Sequence, residues 1–239
     1  MEVIHDLLNY NKLKIIQNSD WFNFSLDSVL LPNFVTLNKN IENVLDFCTG
    51  NAPIPLILST KTSAKIYGVE IQKEVYNLAK RSIELNSLEK RINILNDDVK
   101  NLNNIFDTEY FDVITCNPPY FKVSSSNRKN INDIKTNARH EYLLNLEEIF
   151  ITAKKILKNN GVIALVHRPE RLVEIIEEMK KNNIEPKRLQ FVYPTKDKEA
   201  NIILIEGRKN GNPGLKILPP LFVHNENGEY REEILKMFE

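Results

Sequence analysis

From Ile41 to Ile205 the chain alternates short β-branched or apolar runs with amphipathic stretches of helical period, and no other feature constrains its fold as strongly. Strands joined by crossover helices line up in parallel, so this pattern builds a mostly parallel sheet with helices on both faces. Strands are predicted at 43–47, 65–70, 92–95, 111–116, 161–167, 189–193 and 202–206, and helices at 54–60, 72–86, 99–105, 146–158 and 168–182. In the second helix Val75, Leu78, Ala79, Ser82 and Ile83 share one stripe that should lie on the sheet. Only residues 194–200 separate the last two strands, too few for a crossover, so these two should form an antiparallel hairpin. The predicted class is α/β: a Rossmann-like, seven-stranded, mostly parallel sheet with an antiparallel C-terminal hairpin.

Three segments follow along the chain. Residues 1–40 hold Trp21, Phe22 and Phe24 ahead of an apolar run at 25–37, and are expected to form an N-terminal cap over the mouth of the sheet. Residues 41–207 form the αβ domain. Residues 208–239 are turn-rich, with Gly211, Pro213, Gly214, Pro219 and Pro220, and are expected to pack on the same domain and end in a short helix near 231–238.

At 239 residues the chain is long enough to bury a core without disulfides or a structural metal. The two cysteines, Cys48 and Cys116, form no CxxC pair, and the four histidines show no ligand spacing. Reduced thiols and no metal are the expectation. Apolar runs such as 162–166 are far below the ~18 residues of a membrane span, and the start lacks a secretory pattern, so a cytoplasmic protein is expected.

In open α/β sheets ligands bind beyond the carboxyl ends of the strands. After the first strand, Asp46-Phe47-Cys48-Thr49-Gly50-Asn51-Ala52-Pro53 offers a tight turn at Gly50 and a helix start at Pro53. After the second, Glu70 stands twenty residues beyond Gly50, placed to accept hydrogen bonds from ribose hydroxyls. After the third, Asn96-Asp97-Asp98 offers carboxylates either for an adenine amino group or for capping the next helix. Gly50 has no glycine two or five residues later, so the dinucleotide fingerprint of nicotinamide enzymes is missing.

The fourth strand runs into Asn117-Pro118-Pro119-Tyr120, the most specific signal in the chain. Two prolines stiffen the loop and remove two backbone donors, leaving the Pro118 carbonyl and the Asn117 side-chain oxygen as acceptors for both hydrogens of one planar amine. Such an amine is a poor nucleophile because its lone pair is delocalised into the ring. Drawing both hydrogens out of plane localises the pair for attack on an electrophile. Tyr120 offers a face on which the ring can stack.

Asp46…Gly50, Glu70, Asp98 and Asn117-Pro118-Pro119-Tyr120 resemble the ordered motifs of class I S-adenosyl-L-methionine (AdoMet)-dependent methyltransferases that modify amino groups. Residues Phe24 to Leu31, Ala138-Arg139-His140-Glu141 and Leu218-Pro219-Pro220-Leu221 narrow this to a resemblance to the bacterial tRNA(Val) adenine-N6 methyltransferases, which act on the adenine just 3′ of the anticodon. The resemblance implies that Asp46, Cys48, Gly50 and Asn51 approach the methionine part of AdoMet, with Glu70 on its ribose and Asp98 and Val99 at its adenine. Asn117 also belongs to the cofactor side, and Asn117, Pro118 and Tyr120 present the target base. Many relatives have glycine where this chain has Ala52, which implies a slightly wider turn.

The chain carries 32 basic and 32 acidic residues, so tRNA needs a local basic patch. Lys122, Arg128, Lys129, Lys135 and Arg139 supply one directly after the amine-binding motif, with Phe121 beside them as a further RNA contact, and the target adenine is expected to be turned out of its stack to reach Tyr120. A second cluster, Lys180, Lys181, Lys187 and Arg188, reads as an exposed helix end and loop. Two other substrates suit the same corner: a glutamine amide of a translation release factor, or a guanine amino group of ribosomal RNA. The release-factor enzymes usually carry a separate helical N-terminal domain, which the forty residues here do not match.

Overall fold

The computed structural model describes residues 1–7, 13–18, 25–119 and 144–238. Its centre is a nine-stranded sheet made of β3 (Asn43–Phe47), β4 (Lys65–Val69), β5 (Ile92–Leu95), β6 (Phe111–Cys116), β7 (Leu157–His167), β8 (Ile184–Tyr193), β9 (Ile202–Lys209), β10 (Lys216–Ile217) and β11 (Leu221–Phe222). Along the sheet the order is β10-β8-β9-β7-β6-β3-β4-β5, with β11 also paired to β8. Strands β3 to β7 are parallel, and β9 lies antiparallel between β7 and β8, as the short 194–200 link required. The seven expected strands are all present. The tail adds β10 and β11, each only two residues long and without a readable period.

Two apolar layers cover the sheet. On one face lie α1 (Asp27–Phe34), α2 (Pro53–Lys61) and α3 (Lys73–Leu85), around Leu30, Leu31, Leu56, Ile57 and Ile66. Helix α2 starts with Pro53 at its first turn, where the missing amide hydrogen costs nothing, and its first seven residues are buried. On the other face α4 (Leu146–Ile156) and α5 (Leu172–Lys181) cover Leu45, Phe47, Ile114, Ile163 and Ile205. A reciprocal capping box starts α4, in which the Asn145 side chain accepts from the Glu148 amide and Glu148 accepts from the Asn145 amide.

Boundaries differ from expectation where polar residues hide strand periodicity. Strand β7 begins at Leu157 rather than 161, and α4 ends correspondingly early, because Lys158, Asn159 and Asn160 continue the strand as an exposed rim. Strand β8 begins at Ile184 rather than 189, through a bulge between Pro186 and Arg188. The second basic cluster is therefore an exposed helix end, Lys180 and Lys181, followed by a strand rather than a loop, since Lys187 and Arg188 lie in β8. Lys180 pairs with Glu185, Lys181 with Glu147, and Lys187 donates to the Asn212 carbonyl. Arg188 lies within β8 and donates to the buried Glu206, to Thr36 Oγ1 and to the Phe34 carbonyl.

The segment expected as a cap divides into two parts. Helix α1 is built into the layer beside α2, with Val29, Leu30, Leu31 and Phe34 buried. Strands β1 (Glu2–Asp6) and β2 (Lys14–Asn18) form a separate antiparallel ribbon, tied to α3 where the Ile16 amide donates to Ser82 Oγ and Asn86 brackets the Lys14 backbone. Trp21, Phe22 and Phe24 fall outside the described residues.

Candidate active site

Four neighbouring strands stop at one register level. Cys116 pairs with Phe47, Phe47 with Val69, and Val69 with Leu95. The next residues, Asn117, Cys48, Glu70 and Asn96, therefore emerge side by side at the carboxyl edge. Strand spacing of about 4.8 Å sets their separation. Between them opens a cleft lined by Cys48, Val69, Glu70, Ile71, Asp97, Asp98, Val99, Pro119 and Leu144. The second proline of the diproline corner thus faces the same space as the acid after β4 and the acids after β5.

The turn after β3 is tightly wound, with Cys48, Gly50 and Ala52 all at positive φ. The space where a Gly50 Cβ would sit is open, with no atom within 4 Å. Ala52 closes the same turn, immediately before α2. It takes the left-handed conformation itself (φ 71°), at a cost of about 1 kcal/mol, with its methyl group fully buried. Gly68 in β4 has a different reason to be glycine: a Cβ there would lie 2.8 Å from Thr49 Oγ1.

Glu70 is buried and holds this turn in place. Its Oε2 accepts from the Gly50 amide at 3.0 Å and its Oε1 from the Gln72 amide at 2.9 Å. Burial pushes its pKa up, against those backbone bonds, which favour the carboxylate. Oε1 also accepts from Gln72 Nε2 at 3.4 Å, so Oε2 is the oxygen better placed to accept from a hydroxyl donor. Asn96 braces the same corner, donating to the carbonyls of Glu70 and Ile71.

Asp46 lies fully buried beneath the turn. Its Oδ1 accepts from Thr115 Oγ1 at 2.6 Å, and burial raises its pKa to about 7 although the Thr115 and Thr49 hydroxyls favour the ionised form. Oδ2 and Thr49 Oγ1 are both buried without a well-formed hydrogen bond. Neither threonine was singled out from the sequence. Thr115 faces Asp46 in register on β6, and a polar residue inside the apolar run Phe111–Cys116 was the available signal.

Of the two roles open to Asp97 and Asp98, Asp98 performs the capping while both line the cleft. Asp98 Oδ1 caps the short 3-10 helix Val99–Asn104 by accepting from Lys100 N, and its Oδ2 pairs with Lys100 Nζ at 3.3 Å. Asp97 Oδ1 accepts from the Asp98 amide and from Asn101 Nδ2. Val99 is buried at the cleft wall. Asn51 turns away from the cleft, spending its amide on the Ile16 carbonyl of β2. Buried Cys116 hydrogen-bonds with Cys48 and has a pKa pushed up by burial. At the end of β6, Asn117 is half-buried and Pro118 buried. Tyr120, Phe121, Lys122, Arg128, Lys129, Lys135 and Arg139 lie outside the described residues.

A cleft lined by Glu70, Asp97 and Asp98, of which Asp98 is paired with Lys100, and with no Lys or Arg among its described lining residues favours a cationic ligand over a pyrophosphate. The chain belongs to the methyltransferase-domain family, whose model matches residues 38–211. It resembles the tRNA1(Val) (adenine(37)-N6)-methyltransferase of Porphyromonas gingivalis, 26% identical over 98% of this chain and 94% of that protein. The enzyme of the same name from Shewanella woodyi is 28% identical over 67% of this chain and 65% of its own length. Among solved structures, a predicted O-methyltransferase from Agrobacterium tumefaciens superposes with a TM-score of 0.72 at 20% identity, covering 89% of this chain and 95% of that one. The class I methyltransferase fold is thus common to the sequence pattern and the structure. No described helix is long and apolar enough to cross a membrane, and no described cluster of His, Cys, Asp and Glu is suited to a metal.

Proposed function

We propose that this protein is a cytoplasmic enzyme that transfers a methyl group from AdoMet to the exocyclic N6 amine of a tRNA adenine, the one beside the anticodon of tRNA(Val). The observation that carries this reading is the shared cleft: Pro119 of the diproline corner lines the same space as Glu70, Asp98 and Val99.

AdoMet suits the residues present. Its sulfonium and ammonium charges are favoured by the acidic lining, and Gly50 leaves open the volume that a side chain would fill. The Asp46 Oδ2 and Thr49 Oγ1 atoms, lacking well-formed hydrogen bonds, lie beneath that turn. Bound there, AdoMet supplies an electrophilic methyl group. Glu70 holds a ribose hydroxyl through Oε2, and Asp98 and Val99 border the adenine. Cys48 and the backbone of the Asp46–Asn51 turn face the methionine end.

The Asn117 side-chain oxygen and the Pro118 carbonyl accept the two hydrogens of the target amine and localise its lone pair toward the methyl carbon. Tyr120 stacks on the adenine ring. After transfer the nitrogen carries an extra proton, which passes to solvent without a dedicated base, since the cationic product is strongly acidic. Phe121, Lys122, Arg128, Lys129 and Arg139 bind the surrounding RNA. Residues 41–207 form the transferase domain, onto which 1–40 and 208–239 fold.

Incubation with labelled AdoMet and either unmodified tRNA or a release-factor fragment tests this reading. Digestion of the tRNA is expected to release N6-methyladenosine. Labelled methylglutamine, or N2-methylguanosine from ribosomal RNA, would contradict it.

A further inference from the structure

A polymeric acceptor must extend beyond the cleft, and the carboxyl edge of the sheet offers it a direction. The proposed cofactor cleft lies over β3, β4 and β5, and on the other side of β6 the same edge continues over β7, β9 and β8, where RNA attached to a base at Asn117 can extend. At the far end of that path the chain presents an aromatic pair. Tyr193 ends β8 and Phe222 ends β11, the two residues are register partners, and their rings lie 5.4 Å apart.

Neither ring belongs to the cores. Strand alternation turns Val192, Leu221 and Val223 inward, into the layer beside α2, and leaves Tyr193 and Phe222 half-buried on the opposite face. The Arg231 guanidinium carbon stands 5.9 Å from the Phe222 ring centroid, and Tyr230, 42% exposed, stacks on His224 beside it. His224 is pinned to the edge by its backbone amide and Nδ1, which both donate to the Pro194 carbonyl. The Leu218-Pro219-Pro220-Leu221 motif touches nothing in the cleft. It carries the chain along β8, where Leu218 N donates to the Leu189 carbonyl and Gln190 to the Pro219 carbonyl, and so delivers Phe222 beside Tyr193.

We propose that Tyr193 and Phe222, backed by Arg231, form a stacking platform for an unpaired base of the same tRNA. This rests on the tRNA reading above. Strand β8 is three strand steps from β6, roughly 14 Å, and Tyr193 lies three residues, roughly 10 Å, beyond the register level of Asn117; a stacked strand rising ~3.4 Å per nucleotide covers the resulting ~17 Å in about five nucleotides and an extended one in fewer. The platform therefore takes a base within about five nucleotides of the methylated adenine. The adjoining loop balances Lys196 and Lys198 against Asp197 and Glu199, so stacking rather than charge supplies the affinity.

The test is steady-state methylation of unmodified tRNA by wild type and by the Tyr193→Leu/Phe222→Leu variant, with AdoMet affinity measured by calorimetry. The variant is expected to raise the KM for tRNA about tenfold or more and to keep kcat within about twofold and AdoMet affinity unchanged. Its penalty should be the same at low and high KCl, because stacking releases no counterions. Tyr193→Phe should restore the wild-type KM. A wild-type KM in a folded double-leucine variant would overturn the platform. If that variant does not fold, Phe222→Trp decides: its added emission should be quenched by tRNA, and unchanged emission would overturn the proposal. A wild-type protein that methylates no tRNA would overturn the underlying reading, and the platform with it.

Discussion

The Gly50 amide donates to Glu70 Oε2 at 3.0 Å, which makes the turn after β3 and the end of β4 one hydrogen-bonded unit. Glu70 occupies both of its oxygens with backbone amides while lining the cleft, so its structural and binding roles are inseparable. Glu70→Gln presents an amide NH2 to one of those two donors and loses at least one charge-assisted bond. Stability should fall by about 1–2 kcal/mol, less than the full value because the cost of burying a carboxylate is relieved. AdoMet affinity should fall more than tenfold by calorimetry. Unchanged affinity would remove Glu70 from the ribose site.

Gly50 separates backbone strain from ligand space. Gly50→Ala meets no protein atom, so its thermodynamic cost is that of a left-handed alanine, about 1 kcal/mol by urea denaturation. The new methyl group enters the volume assigned to AdoMet. Affinity should drop at least tenfold, far beyond what the stability loss explains.

Ala52 shows how a non-glycine residue is tolerated in the same turn. Removing its methyl relieves about 1 kcal/mol of left-handed strain but forfeits burial worth about 0.8 kcal/mol for one methyl-sized group. Ala52→Gly should therefore stay within about 1 kcal/mol of wild type in urea. A larger loss would mean that the buried methyl group, rather than the turn, dominates there.

Two buried groups give the protein opposing pH dependences. Asp46 titrates near 7 in the fold against an ordinary value of 3.8, so between those limits the folded state holds a proton that the unfolded chain has released. Its contribution is fully present below about pH 4 and lost as pH rises through 7. His167, which accepts the Arg168 amide at Nδ1, is held down to about 4 against 6.5 by burial and by the nearby Arg171. Its contribution is present above 6.5 and lost as pH falls through 4. Each slope is about 1.4 kcal/mol per pH unit with opposite sign, so the two largely cancel between pH 4 and 6.5. Urea midpoints across that range should rise with pH in Asp46→Asn and fall with pH in His167→Gln. Parallel profiles in the two variants would contradict the assignment.

The sheet was legible because its strands are apolar runs of β-branched residues, and the motif residues were legible because parallel topology brings successive strand ends to one edge. Asp46, Gly50, Glu70, Asp98 and the Asn117-Pro118-Pro119 corner converge for that reason. Interactions set by register across strands were not legible. Thr115 meets Asp46 across 69 residues and Asn51 meets Ile16 across 35, and no local pattern encodes either pair. Strands β1 and β2 escaped notice because the ribbon gains its stability by docking on α3 rather than from its own period. Arg188 looked like surface charge until β8 placed it against Glu206.

The central claim is that the corner after β6 and the turn after β3 serve one reaction with divided roles. Measuring AdoMet affinity and single-turnover methyl transfer to tRNA in Asn117→Ala tests it most directly. The account predicts transfer reduced by a factor of about 100 or more, with AdoMet affinity within about threefold of wild type. Loss of both in equal measure would contradict it, and would show that Asn117 maintains the edge of the sheet instead of presenting an amine.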